Sequence, residues 1–173
     1  MQNAIETIRQ HRTYRHFKAG LSLPEADVQT IIDCARQAPS WMNGQHYSII
    51  NITDPALRAQ IVALQPGNPQ IGTCSTYLLF IADLHRAGLA SQACQGSFNA
   101  AGEPDSLITA VTDTSLAAQN ALVAAESLGY ATCFTGGIRL IEPQLLDLLG
   151  LPANTFPSFG LCIGPPAIAL ALN

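Results

Sequence analysis

The chain has 173 residues, of which 48% are hydrophobic and only 12% are charged, and its formal net charge at pH 7 is -4. A typical soluble domain carries about 25% charged residues, so we expect an extensive part of this surface to be covered by a partner subunit. The negative charge argues against nucleic-acid binding, and no run approaches the roughly 18–20 apolar residues that a membrane span requires.

The length predicts a single domain over residues 1–173. Residues 1–6 lack the basic and apolar stretches of a secretory signal, so we expect a cytoplasmic protein. The five cysteines agree with this location, because their odd number and the absence of a C-x-x-C pair indicate reduced, mostly buried thiols. The four histidines do not pair at metal-ligand spacing, so no metal site is predicted.

Capping residues and apolar periodicity predict five helices along the chain. The predicted helices run from Asn3 to near His11, from Ser22 to before Pro39, from Asp54 to near Leu64, from Asp113 or Thr114 to before Gly129, and from about Pro143 to Gly150. Ser22 is the predicted N-cap of the second helix, because Pro24 and Glu25 follow it. Alanines on every side of the fourth helix predict a central helix that is packed closely all round.

Four segments rich in β-branched and apolar residues predict strands. They are residues 47–52, 76–82, 130–134 and 158–163. Residues 65–72 are predicted to form a loop, and the Gly-, Ala- and Ser-rich residues 86–106 a mobile excursion. Because helices and strands alternate without regular β-α-β spacing, the predicted fold class is α+β.

Half of the eight cationic side chains fall within ten residues near the N-terminus. They are Arg9, Arg12, Arg15 and Lys18. One interpretation is a phosphate site, because guanidinium groups present fixed forks of donors to phosphate oxygens and a hydroxyl such as that of Thr13 adds another donor. The other is that these cations only complement the end of a helix dipole, which stabilises by roughly 0.3–1 kcal/mol per charge.

Two further segments each have a functional and a structural interpretation. Residues 39–45 join a helix to a strand and carry Trp41 and Asn43, which either line an aromatic ligand or fold the loop onto its own core through Trp41. Gly136 and Gly137 follow a predicted strand and mark either a tight turn or a close approach of the backbone to another group. No Rossmann fingerprint, phosphate-binding loop or nucleophile elbow occurs.

Several segments, in their order along residues 3–166, resemble the FMN-dependent nitroreductases and in particular their flavin reductase P-like branch. The matching segments are residues 11–17 (HRTYRHF) for the R-S/T-x-R-x-F opening, 38–45 (APSWMNGQ) for the A-P-S-S-x-N-x-Q loop, 113–120 (DTSLAAQN) and 126–129 (ESLG) for the core helix, and 136–139 (GGIR) for the G-G-L/I-R turn. Trp41 stands in place of the second serine of the loop motif. The joint order of the segments makes the match specific.

The resemblance implies a nitroreductase-like fold, in which helices flank a central mixed, largely antiparallel sheet. It also implies a homodimer with FMN at the subunit interface. The implied activity is that of an NAD(P)H-dependent flavin oxidoreductase or nitroreductase, which reduces small aromatic acceptors (nitroaromatics, quinones or flavins) by a ping-pong mechanism. No catalytic residue is expected, because the flavin carries the chemistry and the protein positions it. The alternative is a flavin-binding protein with little or no turnover, a truncated paralogue.

The residues that the resemblance assigns to FMN binding fall into four groups. They are His11, Arg12, Thr13 and Arg15 at the phosphate; Pro39, Ser40, Trp41 and Asn43 across the dimer; Thr135, Gly136 and Gly137 against the isoalloxazine ring; and Asn68 near its pyrimidine edge. Backbone N–H groups at the glycines would stabilise the charge that a flavin gains on reduction.

The C-terminal part departs from the family pattern. Relatives continue past the G-x-P turn with a segment that usually supplies a Lys/Arg pair to the phosphate, whereas no cation follows Arg139 in this chain. Residues that encode NADPH preference also belong to that segment, so the sequence leaves the choice between NADH and NADPH open. We expect the apolar residues 167–173 either to add an edge strand to a sheet or to be a remnant of truncation.

If the phosphate depends on Arg12 and Arg15 alone, FMN binding is expected to be weaker than in full-length relatives. Losing one charged hydrogen bond costs on the order of 1.5–3 kcal/mol, which is roughly ten- to hundredfold in affinity. Gel filtration of FMN-loaded protein at nanomolar concentration checks this prediction. Loss of the flavin is expected, and its retention would show the prediction to be wrong.

Overall fold

An antiparallel sheet of four strands forms the centre of the fold, in a computed structural model that describes residues 3–99 and 102–167. The strands are β1 (Tyr47–Asn51), β2 (Thr76–Asp83), β3 (Ala131–Thr135) and β4 (Thr155–Gly164), in the spatial order β1-β2-β4-β3. All four predicted strands are therefore confirmed, with ends that shift by up to three residues. The arrangement predicted for residues 168–173 lies outside the described residues.

The helices cover both faces of this sheet. They are α1 (Ala4–Gln10), α2 (Glu25–Arg36), α3 (Pro55–Leu64), α4 (Gln70–Thr73), α5 (His85–Ala93), α6 (Pro104–Ser127) and α7 (Glu142–Leu149). Successive side chains of a strand point to opposite faces, and β2 is buried along its whole length. Leu78 and Phe80 accordingly pack with α2 and α6, while Tyr77 and Leu79 pack with α3, α4 and α7. The α+β class is confirmed.

Helix α6 is longer than the sequence predicts. It begins at Pro104 with Glu103 as its N-cap residue, so Asp113 and Thr114 lie inside the helix. Both are buried. Asp is a residue type that favours helix N-caps, but the carboxylate of Asp113 accepts hydrogen bonds from a distant loop and not from the backbone of its own helix. The predicted helix start at Asp113 or Thr114 is therefore wrong. The predicted close packing of the alanines is confirmed, since Ala117, Ala118 and Ala121 are fully buried.

Three smaller predictions of secondary structure are wrong. Helix α2 has Pro24 at its N-cap position, without a side-chain cap, so Ser22 does not cap it. Residues 65–72 contain the start of the short helix α4, and residues 86–106 contain most of α5 and the first turn of α6. The predicted caps at Asn3 and Asp54 are confirmed, because each side chain accepts a backbone N–H two residues later.

The cysteines are all free thiols, and Cys74, Cys133 and Cys162 are buried in the core. Burial raises the pKa of the Cys133 and Cys162 thiols, so both stay protonated and unreactive at neutral pH. This agrees with the prediction of reduced, mostly buried thiols. Among the described residues, no helix combines the length and the apolar composition needed to cross a bilayer.

Candidate functional site

The basic N-terminal segment is an extended chain that runs beside the sheet. Thr13 forms a parallel bridge with Thr132 of β3, and the Tyr14 N–H donates to the Thr132 carbonyl at 2.8 Å. Further along, the Lys18 N–H donates to the Pro165 carbonyl at 3.0 Å, and Phe17 is buried. The backbone of residues 13–18 is therefore fixed to β3 and to the end of β4, while the side chains of Arg12 and Arg15 remain exposed.

The position of helix α1 limits how much of the basic cluster a helix dipole can explain. Helix α1 ends at Gln10, and Arg9 is the basic residue in its last turn. The effect of a helix dipole falls off within the last turn, so it does not account for Arg15 or Lys18. The guanidinium group of Arg12 donates to the His11 carbonyl at 2.8 Å. The interpretation of the cluster as a helix end is therefore insufficient for Arg15 and Lys18, and the anion site stays a prediction.

His11 is held by a carboxylate from the far end of α6. Its Nδ1 atom lies 2.7 Å from Oε1 of Glu126, and the Thr132 hydroxyl donates to the same oxygen at 2.6 Å. The side chain of Glu126 is only 12% exposed. Because Nδ1 of His11 is engaged by the carboxylate, the ring is fixed in orientation, with its Nε2 edge available to another partner.

A cavity of about 520 Å³ opens beside Arg15. Its walls come from the N-terminal segment and from the turn around α4: Arg15, His16, Phe17, Gly67, Pro69, Gln70, Thr73 and Ala167. The side chain of Gln70 is buried, and its amide donates to Oδ1 of Asn68 at 3.0 Å. A volume in this range suits a small-molecule ligand, and among the described residues Arg15 is the one cation in its lining.

The turn around Asn68 also contacts the backbone after β3. Nε2 of Gln65 donates to the Gly137 carbonyl at 2.8 Å. A Cβ atom added at Gly137 would lie 2.4 Å from Nε2 of Gln65 and 2.8 Å from Nδ2 of Asn68, far inside van der Waals contact. Neither Gly136 nor Gly137 has a positive φ. The chain's own amide side chains thus approach Gly137 closely, and both glycines also open the 3-10 helix Gly136–Ile141. A tight turn and a close approach are therefore both present, and contact of the pair with a ligand stays a prediction.

Thr135 is buried at the end of β3 and does not face solvent. Its hydroxyl is 3.1 Å from the hydroxyl of Tyr77. The Tyr77 ring crosses β4 at Gly160, and a Cβ atom added at Gly160 would lie 2.1 Å from the phenolic oxygen. Burial raises the pKa of Tyr77, so the phenol is neutral. Thr135 therefore fixes the end of β3 through Tyr77, and only its backbone is available to a ligand.

On the α6 side of Gly136 lies a second cavity, of about 350 Å³. It is lined by Ser115, Gln119, Phe134, Gly136, Arg139 and Phe159. The rings of Phe134 and Phe159 meet edge to face, with centroids 5.4 Å apart. Arg139 is oriented by a hydrogen bond of 2.9 Å from Nη1 to the Ser158 carbonyl.

The predicted loop residues lie on a different part of the molecule. Trp41, Met42 and Asn43 form a short 3-10 helix, and the Trp41 N–H donates to Oδ1 of Asp113 at 2.9 Å. Trp41 is 61% exposed, so the interpretation in which it folds the loop onto its own core is wrong.

Helix α6 separates this loop from the N-terminal segment. Asp113 binds the loop and Glu126 binds His11, and these two residues are thirteen positions apart, which is about 20 Å at about 1.5 Å per residue. Within the described residues, the structure thus brings His11, Arg12, Thr13 and Arg15 to one side of β3. It brings Asn68 and Gly137 together at the end of the same strand. Pro39, Ser40, Trp41 and Asn43 line neither the cavity beside Arg15 nor the cavity beside Gly136.

Sequence reasoning missed the polar residues that support the site. They are His46, Gln65, Gln70, Asp113 and Glu126. Glu126 lies in the core-helix motif of residues 126–129, but the motif does not indicate its partner. The contacts of Gln65 with Gly137 and of Gln70 with Cys133 depend on how the turn around Asn68 packs against β3 and the residues after it. Within residues 3–99 and 102–167, no group of three His, Cys, Asp or Glu side chains is arranged to hold a metal ion.

Replacing Gly137 by alanine is expected to displace both amide side chains. The methyl group would occupy the position of Nε2 of Gln65, and losing its hydrogen bond to the Gly137 carbonyl should lower the free energy of unfolding by about 0.5–1.5 kcal/mol. Urea denaturation measures this change. Gly102→Ala is the control, because its added Cβ meets none of the described residues within 4 Å. Equal stability of the two variants would contradict the close contact.

Comparison with known proteins gives one consistent family. The family model described as "Nitroreductase family" matches residues 8–165. The chain is 38% identical over 167 residues to an oxygen-insensitive NADPH nitroreductase of Salmonella typhimurium, covering 96% of this chain and 67% of that protein. It is 33% identical over 168 residues to an FMN reductase (NADPH) of Bacillus subtilis, with the same two coverages. The chain thus spans about two thirds of the length of these relatives.

Solved structures agree with this assignment. NfrA2 of B. megaterium superimposes with a TM-score of 0.94 at 32% identity, covering 99% of this chain and 70% of that one. An NADPH:FMN oxidoreductase from Vibrio harveyi, solved in complex with NAD+, gives a TM-score of 0.87 at 31% identity, covering 99% of this chain and 72% of that one. The fold, the order of the motifs and these matches lead to one conclusion: the chain belongs to the nitroreductase family.

Proposed function

We propose that this protein is an FMN-dependent NAD(P)H oxidoreductase that reduces small aromatic acceptors such as nitroaromatics, quinones or free flavins. The observation that supports it most directly is the cavity beside Arg15. The turn that lines this cavity also contacts the glycine pair at the end of β3. The relatives named above as NADPH nitroreductase and FMN reductase support the same reaction class.

The phosphate end of the site fits FMN by its charge and its rigidity. Arg12 and Arg15 extend from a backbone that is hydrogen-bonded to β3 and β4, so little order has to be created on binding. His11 is oriented by Glu126, and the exposed Thr13 supplies a hydroxyl. Guanidinium groups bind phosphate through paired, charge-assisted hydrogen bonds. This donor set is the one expected for a phosphate monoester.

The other end of the site fits a flat ring. Thr132 pairs with Thr13 and Thr135 precedes the glycines, so β3 separates the phosphate end from Gly136 by about 10–14 Å at about 3.3 Å per residue. Gly136 and Gly137 carry no side chains, and the amides of Gln65 and Asn68 fill the space beside Gly137, so a ring at this end would meet these amides and the glycine backbone together. When bound there, FMN supplies the redox chemistry, accepting a hydride and passing electrons on. The protein holds and orients the ring and excludes water from one face.

A homodimer completes this proposal. Pro39, Ser40, Trp41 and Asn43 would then contact the cofactor of the partner subunit, since they lie away from the cavities beside Arg15 and Gly136 of their own chain. Large apolar side chains are exposed on the same chain, with Met42 at 80% and Leu140 at 82%. Together with the low charge, these side chains are typical of a surface that is buried against another subunit.

A visible spectrum of the purified protein tests the activity. After FMN addition and desalting, we expect flavin absorbance to remain with the protein and to bleach under anaerobic NADH or NADPH; the nucleotide that bleaches faster identifies the preferred donor. Retained flavin that neither nucleotide bleaches would instead show a flavin-binding protein without turnover. Protein that retains no flavin at micromolar concentration would contradict the proposed cofactor.

The assignment of Arg15 to the phosphate has a sharper test. Arg15→Gln should weaken FMN binding roughly ten- to hundredfold, since one charged hydrogen bond contributes about 1.5–3 kcal/mol. It should leave riboflavin binding unchanged, because riboflavin has the same ring but no phosphate. Titration by flavin fluorescence measures both affinities. Arg36→Gln is the matched control, since Arg36 is exposed on α2 and bonds only the exposed Asp33. Equal losses for FMN and riboflavin would contradict the role of Arg15.

A further inference from the structure

A buried carboxylate in the middle of α6 organises the loop of residues 40–45. Asp113 is 1% exposed. Its Oδ1 accepts the Trp41 N–H at 2.9 Å, and its Oδ2 accepts the His46 N–H at 3.2 Å. Nδ1 of the His46 ring lies 2.9 Å from the same Oδ2. One side chain thus receives hydrogen bonds from both ends of the loop, outside the cavities described above.

The loop has a backbone that would not hold its shape unaided. Met42, Asn43 and Gln45 all have positive φ, between 48° and 56°, in the left-handed region that side-chain-bearing residues rarely adopt. Such conformations persist where the surrounding structure determines them. Within the loop, the Asn43 N–H donates to the Ser40 carbonyl at 3.2 Å, the Gly44 N–H to the Trp41 carbonyl at 2.9 Å and the Gln45 N–H to the Ser40 hydroxyl at 3.1 Å. None of these three bonds ties the loop to the rest of the fold. The carboxylate of Asp113 is the buried group that joins its two ends.

The side chain that this loop presents is Trp41, the single tryptophan of the chain. Its main-chain N–H is tied to the buried Asp113, whereas its indole ring is 61% exposed. Because the backbone is fixed, the position from which this large apolar ring extends is set before an aromatic partner binds, and only the side-chain torsions remain to be ordered. Trp41 stands where the family motif has a serine, so this presentation is a property of this chain.

The chemistry of the site requires a carboxylate and not merely a polar side chain. An ionised Asp is an acceptor at both oxygens, and here both oxygens face N–H donors. An asparagine would present its NH2 group to one of these donors and leave a buried N–H group unpaired. The His46 side chain is only 14% exposed, and its hydrogen bond to the carboxylate closes the second end of the loop.

We propose that Asp113, with His46 as its partner, is the positioning residue that fixes the 40–45 loop and holds the Trp41 ring against the flavin of the partner subunit. The role of the loop at the flavin rests on the proposed function. The effect of Asp113 on Trp41 is independent of the proposed function, because it depends only on hydrogen bonds within this chain.

The fluorescence of Trp41 tests whether Asp113 fixes the 40–45 loop, and it needs no cofactor. No other tryptophan contributes to the signal. In the apo protein, Asp113→Asn should lower the steady-state anisotropy of Trp41 and increase its quenching by acrylamide, while the far-UV circular dichroism stays that of the wild type. His46→Phe, which keeps the carboxylate and its two backbone bonds, should change both readouts in the same direction by less. Asp33→Asn is the charge-matched control, because the exposed Asp33 bonds only residues of its own helix.

The second part of the test is FMN binding. We expect Asp113→Asn to raise the dissociation constant for FMN about tenfold and to reduce the quenching of Trp41 by bound FMN, with no change in Asp33→Asn. Wild-type anisotropy in both Asp113→Asn and His46→Phe would overturn the proposal that Asp113 and His46 fix the 40–45 loop. A loosened Trp41 with an unchanged dissociation constant would overturn its role in flavin positioning. If Asp113→Asn does not fold, the His46→Phe comparison decides. Failure of the wild type to bind FMN would instead contradict the proposed function and leave the anisotropy test intact.

Discussion

The pairing of the extended N-terminal segment with β3 is the interaction on which the site depends. Backbone hydrogen bonds join Tyr14 to Thr132 and Lys18 to Pro165, and the buried Phe17 secures the segment against the core. This pairing brings Arg12 and Arg15 beside β3, the strand that ends just before Gly136. Backbone groups at a sheet edge must find partners when they are covered, so the same bonds that satisfy β3 also align the cationic side chains along it.

Helix α6 connects the two separated parts of the proposed site through two carboxylates. Asp113 binds the loop that carries Trp41, and Glu126 binds His11. A carboxylate that is removed from water is costly unless hydrogen bonds compensate it. The buried Asp113 is bonded by the loop, and the half-buried Glu126 by His11 and by Thr132 of β3, so neither relies on its own helix. The alanines between them let α6 pack closely on the sheet, so both carboxylates are held on one rigid element. The loop and the N-terminal segment are therefore fixed relative to each other by a helix that contributes no side chain to the cavity beside Arg15.

The regular elements and the local motifs were within reach of sequence reasoning. All four strands and the helix caps at Asn3 and Asp54 follow from short-range patterns and are confirmed. The errors share one physical cause: a side chain that is typical of a cap or a loop was assigned a local role, whereas a long-range contact or the surrounding packing determined the outcome. Asp113 is the clearest example, since its carboxylate accepts from residues 67 and 72 positions away. Gln65 and Gln70 could not be identified, because nothing in their own neighbourhood indicates that Gln65 meets the backbone after β3 or that Gln70 meets Cys133 within it.

The sequence alone determined the class of the fold, the family and the residue types of the proposed site, because periodicity, capping and ordered motifs depend on neighbours along the chain. Only the tertiary structure decided which of those residues lie together. It showed that Arg12 and Arg15 extend from a strand-like segment and not from a helix end, and that Gly137 is a glycine because amide side chains approach it. It also showed that Trp41 is exposed while its backbone is held by Asp113. These facts arise from contacts between residues distant along the chain, whose geometry is set by packing on the sheet and has no signature in local sequence.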